Sequence, residues 1–238
     1  METLRQKPQK ADANFIHPFR SLITGKADSG KTFLAVKIMM TKRNDFDRLI
    51  VICPTWKTQD VFRNVDDMVI RSKDVYTTPD EDTFKQITND LLNVRSKVKE
   101  HGLEDVRTLL FIDDLSGTKF IHGGRISAFA HLAIQIRHLG CSCILVSQQA
   151  KAVSPAYRDN INILCAFPSQ RKEDIKWIES EYGRHDLKSS DMRSIIVAAW
   201  NGFGDESEWG KHFLFVYCNP RGPVEYFCDF DYRIEYNK

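Results

Sequence analysis

The sequence has no hydrophobic run long enough to cross a membrane. Its apolar stretches, such as residues 195–200, are far shorter than the ~18 residues that a membrane-spanning helix needs. Residues 1–13 are polar and lack the apolar segment of a secretory signal. We therefore expect no membrane span, a protein that is not secreted, and a flexible lead-in over residues 1–13.

The sequence also lacks metal-binding patterns and an excess of charge of one sign. None of its 6 cysteines forms a C-x-x-C pair, and its 7 histidines form no H-x-x-x-H or H-E-x-x-H pattern. These absences argue against a zinc site, and we interpret the cysteines as small core side chains. The net charge of +2 neither requires nor excludes a nucleic-acid partner, since a local basic patch is enough.

No repeat or linker divides the chain, and short apolar runs alternate with segments of helical periodicity. The apolar runs are residues 20–24, 49–53, 109–112, 144–146 and 161–167. The helical segments are residues 31–40, 83–100 and 125–139. Strands that are hydrophobic throughout are typical of a parallel sheet covered on both faces, so the pattern predicts an α/β fold.

The C-terminal part of the chain carries a different signal. Residues 213–218 and 224–230 are two apolar runs separated by an Asn-Pro-Arg-Gly-Pro turn. This pattern predicts a β-hairpin added to the sheet edge. We interpret residues 14–238 as one domain.

A phosphate-binding loop lies between the first apolar strand and the first helix. Gly25-Lys26-Ala27-Asp28-Ser29-Gly30-Lys31-Thr32 fits G-x-x-x-x-G-K-[ST] at every fixed position. The glycines allow successive backbone N–H groups to face an anion, Lys31 can reach the β- and γ-phosphates, and the Thr32 hydroxyl can ligate Mg²⁺. We expect the Asp28 carboxylate to point away from the phosphates.

Two aspartates follow the apolar run 109–112. In an α/β sheet, a residue at the carboxyl end of a buried strand faces the ligand-binding crevice. Asp113 is therefore predicted to hold Mg²⁺ opposite Thr32, and Asp114 to orient or deprotonate the attacking water. Taken without the phosphate loop, the same pair could simply end a strand and begin a turn.

Further candidates follow the next apolar run. Gln148 is placed to sense the γ-phosphate, although it could equally begin a turn. Arg158 is a candidate arginine finger, because a guanidinium presents rigid donors to the charge that develops on the transferred phosphoryl group. Arg137 and Arg171 compete for this role, and a solvated loop arginine is the alternative.

The order of these motifs resembles the FtsK–HerA superfamily of ATPases. The closest likeness is to the genome-packaging ATPases of double-jelly-roll DNA viruses, the poxvirus and large-virus type with their virophage or polinton relatives. The resemblance covers roughly residues 18–168. It is carried by ITGKADSGKT, by LLFIDD, by a helix ending in Arg137-His138, and by LVSQQAKAVSPAYRDNINILCAF.

The resemblance implies a RecA-like (ASCE) P-loop NTPase core that uses ATP and Mg²⁺. It also implies a homo-oligomeric ring, usually of six subunits, that translocates double-stranded DNA into a preformed capsid. The expected partners are the DNA and the portal or vertex proteins of the capsid, and the expected location is the virus factory of the host cytoplasm or the virion. Residues 116–125 suit a channel loop, in which Lys119, Phe120 and Arg125 are the DNA-contact candidates; a solvated connector is the alternative.

Two other functions share the phosphate loop. A P-loop nucleotide kinase would transfer phosphate to a small acceptor, and the Arg171-Lys172 segment is a weak sign of the arginine-rich lid that such enzymes carry. A nucleotide-gated assembly or switch protein would bind ATP without turnover. Stimulation of ATP hydrolysis by long duplex DNA distinguishes the translocase from both.

Overall fold

Ten strands form one sheet in the computed structural model, which describes residues 4–9, 15–65, 70–115, 127–183, 187–202 and 212–236. The strands are β1 (Leu4–Pro8), β2 (Arg20–Thr24), β3 (Arg48–Ile52), β4 (Ile70–Tyr76), β5 (Thr108–Ile112), β6 (Cys141–Ser147), β7 (Ile163–Ala166), β8 (Leu214–Cys218), β9 (Val224–Cys228) and β10 (Tyr232–Tyr236). Their order across the sheet is β1-β10-β9-β8-β7-β2-β6-β5-β3-β4.

The six strands from β7 to β4 run parallel and form the centre of the molecule. All residues of β3, β5, β6 and β7 are buried, as expected for strands covered on both faces. Strand β6 lies between β2 and β5. The carboxyl ends of β2, β5 and β6 therefore meet at one edge of the sheet, and the predicted α/β fold of a P-loop NTPase is confirmed.

Six α-helices accompany the sheet in the described ranges: α1 (Lys31–Thr41), α2 (Glu81–His101), α3 (Ala128–Gln135), α4 (Pro155–Arg158), α5 (Lys172–Tyr182) and α6 (Ser189–Asn201). Helix α1 packs in one hydrophobic cluster on one face of the sheet. Helices α2, α3, α5 and α6 pack in a second cluster on the other face. None of these helices is long and apolar enough to cross a membrane.

The ends of two predicted helices have local causes. Asp80 caps α2 by accepting a hydrogen bond from the Thr83 amide at 2.7 Å, and Gly102 ends this helix in the left-handed conformation. Helix α3 ends at Gln135, earlier than predicted. Residues 136–140 form turns, and Gly140 closes them with a left-handed φ of +63°.

The C-terminal strands are antiparallel. Strands β8 and β9 form the predicted hairpin, and β8 pairs with β7 at the edge of the parallel strands. Beyond the hairpin, β10 pairs with β9, and β1 pairs with β10 over all five of its residues. The structure therefore differs from the flexible lead-in expected over residues 1–13. Residues 4–8 form a strand because β10 offers them backbone donors and acceptors. Such backbone pairing does not require an apolar sequence.

Candidate active site

The phosphate loop has the backbone conformation that its sequence predicts. Gly25 has φ +157°, Asp28 φ +58° and Gly30 φ +91°. An added Cβ at Gly25 would lie 2.6 Å from Phe167 Cβ, so this position has no room for a side chain. The Asp28 side chain is exposed. Since Gly30 directly precedes α1, the free N–H groups of the first helical turn lie next to the loop.

Lys31 is buried within the loop. Its ammonium donates to the carbonyl oxygen of Lys26 and lies 3.5 Å from Ser29 Oγ. Burial lowers the pKa of Lys31, while the carboxylates of Asp113 and Asp28 raise it. The Lys31 ammonium thus lies within the loop, at the position that a phosphate chain would approach.

Thr32 and Asp113 lie in direct contact. Thr32 Oγ1 donates to Asp113 Oδ2 at 2.8 Å, although the two residues are 81 positions apart in the sequence. Asp113 is 5% exposed, and burial raises its pKa to about 6. Hydrogen bonds from Thr32 and from the Asp114 amide act in the opposite direction. A buried carboxylate beside a hydroxyl is a pair of hard oxygen ligands, which fits Mg²⁺.

The motif residues enclose one cavity of about 500 Å³. The lining residues from the predicted motifs are Ala27, Asp28, Ser29, Gly30, Lys31, Thr32, Asp113, Asp114 and Gln148. Asp114 is exposed, has φ +58°, and its amide donates to Asp113 Oδ1 at 2.7 Å. The structure therefore brings together residues 27–32, Asp113, Asp114 and Gln148 at the carboxyl ends of β2, β5 and β6, whereas Gly25 and Lys26 do not line this cavity.

The arginine candidates lie elsewhere. Arg158 is half-buried, donates from Nε to the Val153 carbonyl at 2.9 Å, and places its guanidinium 5.8 Å from the centre of the Trp177 ring. Arg137 and Arg171 are exposed. None of the three lines the cavity of its own chain. The predicted DNA contacts Lys119, Phe120 and Arg125 lie outside the described residues.

A second cavity of about 600 Å³ adjoins the phosphate loop, and the sequence did not indicate it. Asp28, Ser29, Gly30 and Phe33 line both cavities. The rest of its lining is mainly aromatic and acidic, and most of it comes from the residues just before β8 and from the turn between β9 and β10. These further lining residues are Leu34, Lys37, Phe167, His212, Phe213, Asp229, Phe230 and Asp231. His212 Nδ1 and Asp229 Oδ2 are 2.6 Å apart. Phe33 is 68% exposed, which leaves its ring available to a ligand.

Gln59 is a further lining residue, and it belongs to none of the predicted motifs. It follows β3 in an irregular segment, and nothing in its local sequence marks it as functional. The neighbouring aromatic residues Trp56 and Phe62 are buried, and their types are the local signal that this segment packs against the core.

The fold and the site together define a P-loop NTPase. The family described as Poxvirus A32 protein matches residues 9–198, and the chain belongs to this family. The resemblance inferred from the motifs is thereby confirmed. A comparison with curated proteins gives no match.

Solved structures support the same fold. B204, the DNA-packaging ATPase from Sulfolobus turreted icosahedral virus, is 16% identical with a TM-score of 0.58, over 94% of this chain and 98% of that one. The genome-packaging NTPase B204 from Sulfolobus turreted icosahedral virus 2 in complex with ATP-γS is 16% identical with a TM-score of 0.56, over 90% and 98%. The pCW3 conjugation coupling protein TcpA with ATPγS is 16% identical with a TM-score of 0.55, over 97% and 66%.

Proposed function

We propose that this chain is an ATP-driven translocase that packages a viral double-stranded DNA genome into a preformed capsid. The observation that carries the proposal is the contact between Thr32 and Asp113, which joins the phosphate loop to the acidic end of β5. Family membership and the DNA-packaging activity of the B204 proteins support the packaging role.

The phosphate chain of ATP would bind along the loop. Backbone N–H groups of the loop and Lys31 would hold the β- and γ-phosphates, and Thr32 and Asp113 would hold Mg²⁺. The cation would supply charge neutralisation at the phosphates. On binding ATP, the Lys31 ammonium would leave the Lys26 carbonyl for the phosphate oxygens.

Hydrolysis would use the residues on the opposite side of the cavity. Asp114 would accept a proton from water as the water oxygen attacks the γ-phosphorus, and the bond to the bridging oxygen of ADP would break. Gln148 would report the loss of the γ-phosphate. Arg158 would act on the ATP of a neighbouring subunit, which is compatible with its position outside its own cavity.

The nucleoside part of ATP would extend into the second cavity. Phe33 and Phe230 would offer ring faces to the base, and Asp229 and Asp231 would accept hydrogen bonds from hydroxyl or amino groups. Replacement of Phe33 by Ala should then weaken binding of ATP but leave binding of inorganic tripolyphosphate unchanged, because the latter has no base.

Assembly follows from the packaging role. We expect a homo-oligomeric ring, with DNA in its channel and portal or vertex proteins of the capsid as partners, in the virus factory of the host cytoplasm or in the virion. A mixture of Asp114→Asn and Arg158→Ala chains tests the ring. If Arg158 works on the neighbouring ATP, mixed rings regain activity, whereas action within one chain predicts none.

The decisive measurement is the ATPase rate of the purified chain with and without long duplex DNA, over a series of salt concentrations. We expect stimulation by DNA that fades with added salt, because phosphate-backbone contacts weaken as salt rises. Phosphate transfer to a nucleoside monophosphate would instead identify a kinase. Tight ATP binding without turnover, whether or not DNA is present, would identify a switch protein.

A further inference from the structure

The cavity at the phosphate loop has one wall that the motifs do not account for. Among the described residues, every other lining residue comes from the loop and its helix or from the ends of β5 and β6. Gln59 alone comes from the segment after β3. It is half-buried and shares the cavity with Asp113 and Asp114.

The segment that carries Gln59 is packed firmly against β5. Trp56 and Phe62 stack on each other with ring centres 4.4 Å apart, and both rings contact Phe111, at 6.1 and 5.8 Å. Phe111 precedes Asp113 by two positions, so the two side chains leave the chain on the same face of the sheet. The strand that positions Asp113 therefore also positions the segment bearing Gln59.

The amide of Gln59 is itself oriented. Its Nε2 donates to Thr55 Oγ1 at 2.9 Å, and its backbone N–H donates to the Thr55 carbonyl at 3.2 Å. Thr55 Oγ1 also lies 3.4 Å from Cys53 Sγ, at the end of β3. With its nitrogen bound to Thr55 Oγ1, the amide keeps Oε1 as its acceptor, and the residue lines the cavity.

We propose that Gln59 orients the attacking water by accepting a hydrogen bond from it at Oε1. This inference rests on the proposed ATP hydrolysis. A neutral amide is a poor base, so Gln59 holds the water while Asp114 takes its proton. An amide also suits a cavity that already contains two carboxylates, because a third negative charge would repel the γ-phosphate.

The test compares Gln59→Met, which removes the acceptor at nearly constant volume, with Gln86→Ala, a change at an exposed position on α2. We expect Gln59→Met to lower the single-turnover rate of ATP hydrolysis by ~10²–10³-fold, the scale of one positioned polar group in an active site. Its affinity for ATPγS should stay within about twofold of wild type, since the water is not part of that ligand. Gln86→Ala should match wild type in both measurements.

A transition-state analogue gives a readout that does not depend on turnover. ADP with aluminium fluoride and Mg²⁺ recruits a ligand at the position of the attacking water, so Gln59→Met should weaken its binding by a factor similar to the loss of rate. Thr55→Val, which removes the partner of the amide nitrogen, should lower the rate partially and leave ATPγS affinity unchanged. Thermal melting of each variant checks that the fold is retained.

Two results would overturn the inference and leave the proposed function in place. One is a wild-type rate in Gln59→Met, and the other is an equal loss of rate and of ATPγS affinity, which would mean that Gln59 binds phosphate. A wild-type rate in Thr55→Val would overturn the proposed anchoring of the amide. If the wild-type chain binds ATP but never hydrolyses it, the proposed function and this inference both fail.

Discussion

Thr32 Oγ1 donates a 2.8 Å hydrogen bond to Asp113 Oδ2 and so connects the first turn of α1 with the end of β5. Strand β6 separates β5 from the strand that precedes the phosphate loop, so this contact depends on the correct order of three parallel strands. The same two oxygen atoms are the proposed ligands of Mg²⁺. The contact therefore forms only when the three strands are correctly assembled, and it places the two proposed metal ligands next to each other.

Replacement of Asp113 by Asn should separate these two roles. The amide can still accept the hydrogen bond from Thr32, so the fold should persist, but it no longer offers a charged ligand. We expect the affinity for ATP in the presence of Mg²⁺ to fall by at least ~10-fold, a loss seen even for groups that only orient metal ligands. Without Mg²⁺, ATP affinity should stay equal or rise, because one negative charge is removed. Titration with a fluorescent ATP analogue measures both.

Thr32→Ala should show the same dependence on Mg²⁺. Its matched control is Thr41→Ala on the same helix, where the hydroxyl is exposed and donates to the Lys37 carbonyl at 2.8 Å. If Asp113→Asn and Thr32→Ala weakened ATP binding equally with and without Mg²⁺, the assignment of a metal site to this pair would be wrong.

Asp114→Asn should slow hydrolysis without weakening nucleotide binding. Loss of a positioned base typically lowers a rate by ~10²–10⁴-fold. Asn is the suitable replacement because Asp114 has φ +58°, a left-handed conformation that Asn tolerates better than most residues. Single-turnover hydrolysis and ATPγS affinity provide the measurements, with Asp159→Asn at an exposed position as the control. An unchanged rate of hydrolysis in Asp114→Asn would mean that another residue acts as the base.

Gly25→Ala should lower both stability and phosphate binding. Its added Cβ would lie 2.6 Å from Phe167 Cβ and 2.9 Å from Ser29 Oγ. Gly102→Ala is the matched control, because Gly102 also has a positive φ, of +61°, but its Cβ would have nothing within 4 Å. We expect Gly102→Ala to cost ~1–2 kcal/mol of unfolding free energy for the conformation alone. Overpacking should add a further ~1–3 kcal/mol for Gly25→Ala.

Urea unfolding and ATPγS titration distinguish the two glycine variants. Gly25→Ala should lose ATPγS affinity, whereas Gly102→Ala should keep it, because the latter lies at the end of α2 and outside the cavity lining. Equal stability losses in the two variants would show that the contact with Phe167 is relieved by local adjustment.

The central part of the site was predictable because its signals are local. The phosphate loop is eight consecutive residues, and Asp113 and Asp114 directly follow a fully buried strand. Strand β4, with the sequence IRSKDVY, was not predicted, since an edge strand is specified by pairing with β3 and needs no continuous apolar run. Gln59 and the second cavity were missed for a related reason. Their residues come together only in the folded chain. Phe62 contacts Phe111, and Phe33 lines the same cavity as the turn after β9.

Arg48 connects the unpredicted strand β4 to the core. Its guanidinium binds Asp74 through two hydrogen bonds, of 3.0 Å from Nε and 2.5 Å from Nη2, and binds Asp90 through Nη1 at 2.5 Å. Burial lowers the pKa of Arg48, but the hydrogen bonds and charges of Asp74 and Asp90 outweigh this effect and raise it above its usual value. The side chains of Arg48 and Asp74 are 5% and 1% exposed, whereas that of Asp90 is 46% exposed.

Because Asp74 is buried and Asp90 is exposed, we expect the loss of each carboxylate to lower the free energy of unfolding by a different amount. Asp74→Ala should lower the free energy of unfolding by ~3–5 kcal/mol, because it removes the buried partner of Arg48 and leaves only Asp90, which is open to solvent, to pair with the buried guanidinium. Asp90→Ala should cost less than ~1 kcal/mol, as for other ion pairs open to solvent. The double variant Arg48→Met with Asp74→Ala should recover much of the loss, since it removes both buried charges and leaves only Asp90, which is open to solvent. Urea denaturation of the four chains measures these values; equal costs for Asp74→Ala and Asp90→Ala would mean that burial of the ion pair does not hold β4 in place.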